Sequence, residues 1–141
     1  MSEIKVKKLS TKARIPTKAE PGAAGFDLYA NEVAYLRPGE ITRVGCGVAV
    51  EIPPGWEGQV RGRSGLASRG IWVTLGTIDS SYRGEIGAIM TLIGNVDFHV
   101  VHEGDRIAQL VICPAPEFTL VETQELSQTE RGTKGFGSTG K

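Results

Sequence analysis

"GVAVEIPPGWEGQVRGR", residues 47–63, decides the fold class. Its first six residues are short, apolar and rich in valine, the composition of a strand. Pro53, Pro54 and Gly55 interrupt it, because proline fixes φ and cannot donate to a sheet, and a Pro-Gly pair favours a turn. "EGQVRGR" (57–63) then reads as a second strand. The same pattern extends outward in both directions. "EIKVKKL" (3–9), "GFDLYA" (25–30), "EITRV" (40–44), "EIGAIMTLI" (85–93), "DFHVV" (97–101), "RIAQLVI" (106–112) and "EFTLVET" (117–123) are further candidate strands. Nineteen glycines and seven prolines divide them. Many short strands with frequent turn signals point to an all-β sandwich or barrel. The one expected helical turn is "SGLASRG" (64–70), and from residue 124 the pattern dissolves into a polar tail.

The chain has 141 residues, 40% of them hydrophobic, enough for one domain with a core. Its formal net charge is zero, which argues against a protein that coats nucleic acid or a membrane surface. No apolar run is long enough to span a bilayer, and "MSEIKVKKLS" lacks the apolar centre of a signal peptide. A cytoplasmic protein with reduced Cys46 and Cys113 is expected. Between Lys18 and Lys134 arginine replaces lysine throughout, at Arg61, Arg63 and Arg106 among others. The arginine fork suits phosphate, although ordinary surface arginine is the commoner use of any one of them.

"EIGAIMTLI" does not alternate polar and apolar residues, so both its faces are expected to be buried. A small all-β chain has little interior for that, and contact between subunits is one answer. Asp27 and Gln109 interrupt apolar strands. "RGRSGLA" places Arg61, Arg63 and Ser64 around glycines, which suits either a turn or a phosphate cradle. "GTIDSSYRGEIG" (76–87) reads as a hairpin loop leading into the apolar strand. Asp79 at its rim can act as a general base or stabilise the turn. His99 and His102 are expected to point to opposite faces, and no set of residues has zinc spacing or forms a nucleophile triad. The tail "RGTKGFGSTGK" (131–141) contains G-x-G-x-x-G and G-x-x-x-x-G-K. Both motifs work through a following helix, and none is expected after Lys141.

In order, "AGFDLYA", "GRSGLA", "GTIDSSYRGEIG", "GDRIAQLV" and "RGTKGFGSTG" resemble the five motifs of the trimeric dUTPases, the deoxyuridine triphosphate nucleotidohydrolases. The resemblance covers residues 24–140. It implies a jelly-roll β-barrel over residues 1–123 and an arm, 124–141, that closes over the active site. It implies a homotrimer with sites at subunit interfaces, and hydrolysis of dUTP to dUMP and pyrophosphate with Mg²⁺ on the triphosphate. Asp79 is then the base that activates water. Gly76, Thr77 and Ile78 read the uracil edge, Tyr82 lies under the deoxyribose, and Phe136 stacks on the base. Arg63, Ser64, Gly65, Gln109, Arg131, Gly137, Ser138 and Thr139 hold phosphates, and Asp27 holds the metal through water.

Ser81 stands where many members of that family carry a second acid, and the asparagine that some place before the catalytic aspartate is absent. A dCTP deaminase-like enzyme, or a regulatory binding protein on the same scaffold, are the alternatives. The intact 76–87 segment and the complete tail argue against both.

Overall fold

The computed structural model describes residues 2–137 and is all-β apart from one helical turn. Strands β1 (Lys5–Lys8), β2 (Phe26–Tyr29), β3 (Ala34–Leu36), β4 (Thr42–Gly45), β5 (Val48–Glu51) and β6 (Trp56–Arg61) precede helix α1 (Ser64–Ala67). Strands β7 (Ile71–Val73), β8 (Gly76–Ile78), β9 (Gly87–Leu92), β10 (His99–Val101) and β11 (Arg106–Pro114) follow it. The expected turn after Pro53 is present. The Trp56 N–H donates to the Pro53 carbonyl at 3.2 Å, and Gly55 has φ of +87°, a conformation that side chains disfavour.

Four small sheets enclose one core. The largest has the order β2-β11-β6-β8, a second runs β4-β9-β7, and β1-β5 and β10-β3 pair separately. Leu28, Leu36, Ile52, Ile86, Met90 and Ile107 are almost wholly buried. Each such side chain contributes roughly 1.5–3 kcal/mol of hydrophobic stabilisation. Strand β11 is the spine. It pairs antiparallel with β2 on one side and β6 on the other, and a register shift between Arg106 and Ala108 sends both Ile107 and Ala108 inward. Cys46 lies in the core with its thiol pushed up to about 12, chiefly by burial and then by the Glu85 carboxylate. Cys46 and Cys113 are both free thiols.

Several expectations change. Residues 117–123 form no strand: Phe118 is 83% and Leu120 96% exposed, because no strand edge among the described residues receives them. Strand β9 is one-sided, with Ala88, Met90 and Leu92 buried while Ile89 faces outward uncovered. The "DSSYR" segment is not a hairpin loop. It crosses between sheets, since β8 pairs with β6 while β9 pairs with β4 and β7. The three-residue strands β3, β7 and β8 were not foreseen. His99 and His102 do not diverge but border one cavity, because β10 ends at Val101 and the chain turns there.

Candidate active site

Asp27, Gln109 and Arg61 lie side by side on β2, β11 and β6, so one end of the largest sheet carries a polar row. The Asp27 carboxylate is only 14% exposed and meets two cations, Arg63 Nε at 3.7 Å and Arg106 Nη1 at 3.8 Å. A carboxylate so enclosed needs those partners. Arg63 leaves β6 just before α1, and its Nη1 also donates to the Arg106 carbonyl at 3.2 Å. The Gln109 Nε2 donates to the Gly62 carbonyl at 3.0 Å. Gly25 makes that orientation possible: a Cβ there would sit 2.5 Å from Gln109 Oε1. Arg63 and Gln109 open onto a cavity of about 410 Å³, lined also by Gly62, Ser64 and Trp72.

Ser64 and Gly65 form the first turn of α1. Its first backbone bonds come from the Ala67 and Ser68 N–H groups, so the N–H groups of Ser64 and Gly65 lie ahead of them. The chain thus gathers Asp27, Arg63, Ser64, Gly65 and Gln109 at one place. Arg106, Trp72 and Gly25 also belong there and were missed. Arg106 stood within "GDRIAQLV" and could have been read as the ion partner of Asp27. The signal of Trp72 was a large aromatic residue in a stretch otherwise made of small apolar ones.

A second group sits at the opposite end of the same sheet. Strand β8 pairs with β6 along one edge, Gly76 against Val60, Thr77 against Gln59 and Ile78 against Gly58. It is the last strand of its sheet, so its other backbone edge is unpaired. Asp79 follows it, exposed and with no side-chain hydrogen bond or ion pair among the described residues. The Tyr82 N–H closes a turn onto the Asp79 carbonyl at 3.0 Å. The Tyr82 hydroxyl donates to the Glu85 carbonyl at 2.9 Å. Its ring lies against Gly84, where a Cβ would fall 2.5 Å from Cζ. Arg83 braces the turn by donating to the Ser80 carbonyl at 2.6 Å and the Tyr82 carbonyl at 3.1 Å.

The two groups do not meet within one chain. Asp27 and Ile78 are three strand spacings apart across the sheet and three residues apart along β11, a separation on the order of 17 Å. The described residues of the tail form hydrogen bonds to neither. Among them, Arg131 Nε donates to the Lys134 carbonyl at 2.8 Å. Phe136 is fully exposed at φ of +51°, and Gly137 follows at +84°. Ser138 and Thr139 lie outside the described residues. No helix among the described residues is long and apolar enough to cross a membrane.

Comparison with known proteins agrees with this arrangement of motifs. A family model described as dUTPase matches residues 11–140. The deoxyuridine 5'-triphosphate nucleotidohydrolase of Nautilia profundicola is 49% identical over 142 aligned residues, 99% of either chain. Among solved structures, a mutant dUTPase of Staphylococcus bacteriophage 80alpha with dUpNHpp superposes with a TM-score of 0.91 at 30% identity, covering 99% of each chain. A mutant dUTPase of phage phi11 of S. aureus, described for its coordination of a structural Mg(II) ion, superposes at 0.81 with 27% identity, covering 88% of this chain and 98% of that one. The five motifs, the all-β fold and near-half identity over the full length agree, and the chain belongs to the dUTPase family.

Proposed function

We propose that the chain hydrolyses dUTP to dUMP and pyrophosphate at a site completed by more than one copy of itself. Family membership carries the reaction. The observation that carries the shared site is the placement of Asp79 and the Asp27–Arg63–Gln109 group at opposite ends of one sheet. A water molecule positioned by Asp79, next to Ile78, cannot reach a triphosphate held at the Asp27 end of the sheet, on the order of 17 Å away. A neighbouring copy can bring the missing half. Ile89, Ile93, Phe118, Leu120, Val121 and Leu126 are exposed apolar side chains that an assembly would cover, which supports association of copies; the proposed number, three, follows the family resemblance.

Each residue then has a task. The free backbone edge of Gly76, Thr77 and Ile78 reads the hydrogen-bonding edge of uracil. Tyr82, its ring fixed by Gly84 and the Glu85 carbonyl, packs under the sugar and leaves no room for a 2'-hydroxyl. Arg63, Gln109 and the N–H groups of Ser64 and Gly65 grip phosphate oxygens. The Asp79 carboxylate takes a proton from water as its oxygen bonds to the α-phosphorus. The bond from that phosphorus to the bridging oxygen breaks, and pyrophosphate leaves with the electron pair. Such a displacement depends on positioning and charge neutralisation, which these groups supply.

The arm brings Phe136 onto the base and Arg131, Gly137, Ser138 and Thr139 onto the phosphates. The described residues contain no group of three metal-ligating side chains, which suits Mg²⁺ carried by triphosphate oxygens and water. Asp27, a single enclosed carboxylate beside the phosphate pocket, would hold it through water. When bound, the ion neutralises phosphate charge. Asp79→Asn tests the assignment, because it preserves shape and removes basicity. The expected result is a fall in kcat of roughly 10²–10⁴ with dUTP binding retained. Near-normal kcat would reduce Asp79 to a turn residue.

A further inference from the structure

A larger cavity shares Arg63 with the pocket above and also reaches Arg106, the other ion partner of Asp27. It measures about 710 Å³ and is bordered by Arg14, Arg63, Arg69, Arg106, His99 and His102. Of the phosphate-binding residues above, only Arg63 reaches it; Ser64 and Gln109 line the smaller pocket instead. Two of its arginines have no carboxylate within ion-pair distance among the described residues. The Arg14 guanidinium lies over the Tyr29 ring, 5.6 Å from its centre, and against Gly104, where a Cβ would come within 2.9 Å of its Nη2. Arg69 makes one long bond, Nε to the Gly65 carbonyl at 3.4 Å. The acids nearby are already engaged. Asp27 serves Arg63 and Arg106, and Asp105 Oδ2 accepts from the His102 N–H at 2.8 Å. Four arginines against the single lining carboxylate of Asp105 leave the wall net positive. Burial, and then the neighbouring Arg69, lower the His99 pKa, with Asp105 opposing them.

We propose that this cavity binds a phosphate-bearing anion, with Arg14 and Arg69 as its principal ligands. Guanidinium forks pair with phosphate oxygens through two parallel hydrogen bonds, and Tyr29 and Gly104 hold the Arg14 fork in place. The volume exceeds what one phosphate needs, so pyrophosphate or the phosphate chain of a nucleotide is the fitting class. Because Arg63 borders both cavities and shares Asp27 with Arg106, an occupant here would compete with Asp27 for those cations. Anion binding at one cavity is thus linked to the charge balance of the other.

Titration calorimetry with pyrophosphate tests this, on protein first saturated with dUpNHpp so that the phosphate pocket is filled. The wild-type protein should still bind pyrophosphate saturably. Binding should weaken at least about tenfold in R14Q/R69Q and by less in R14K/R69K, which keeps the charges and loses the forks. Both arginines are exposed, so the variants should melt as the wild type does. ATP with Mg²⁺ in place of pyrophosphate separates a nucleotide from the free anion: tighter binding of ATP assigns the cavity to nucleotides, and weaker binding to pyrophosphate. Loss of all pyrophosphate binding once dUpNHpp is present, or equal affinity in R14Q/R69Q, would overturn the proposal.

Discussion

At the scale of single residues, glycines decide where reactive side chains stand. Gly84 and Gly25 hold φ values open to any residue, so their value lies in the space they leave. Tyr82 fills the room above Gly84, and Gln109 that above Gly25. Gly84→Ala should push the Tyr82 ring off the Glu85 carbonyl while leaving every proposed catalytic group intact. The dUTP over UTP preference in kcat/KM should fall about tenfold, the size expected when one packing contact loses its fit. An unchanged preference would remove the sugar-sensing role from Tyr82. Asp27 and Gln109 were legible beforehand because a polar residue within an apolar strand needs a reason. Gly25 and Gly84 were not, because their value depends on a neighbour that approaches only after folding.

Elements were legible where local composition and tertiary context agreed. β5 and β11 are rich in valine or isoleucine, β6 follows a Pro-Gly turn, and each found a partner. β3, β7 and β8 have three residues each and owe their strand character to the neighbours they pair with, so local composition carried little trace of them. The 117–123 segment shows the reverse failure. Its composition suits a strand, yet no edge among the described residues accepts it, and propensity without a partner makes no strand. The described contacts of the tail are internal, and the proposed arm would gain others only from ligand or partner. Ordering it costs roughly 1–2 kcal/mol per residue fixed, to be offset by contacts around the triphosphate. Removing residues 131–141 should leave the melting temperature of the ligand-free protein unchanged and lower dUTP turnover by about tenfold or more. Full turnover by the truncated protein would make the arm a frayed end.

At the scale of the whole molecule, one sheet carries the Asp27–Arg63–Gln109 group at one end and Asp79 at the other. The motifs were readable in the sequence, but their separation was not, because it follows from the register of β2, β11, β6 and β8. That separation turns an assembly question into a catalytic one. Mixing two inactive chains, Asp79→Asn and Arg63→Ala, tests it directly. They are unfolded together, refolded at equal concentration and assayed for dUTP hydrolysis, with light scattering to confirm a mass of three chains. If each site takes its phosphate ligands from one copy and Asp79 from the next, random trimers should recover about a quarter of wild-type activity. A mixture no more active than either variant alone would mean that one chain supplies both halves, and would contradict the shared site.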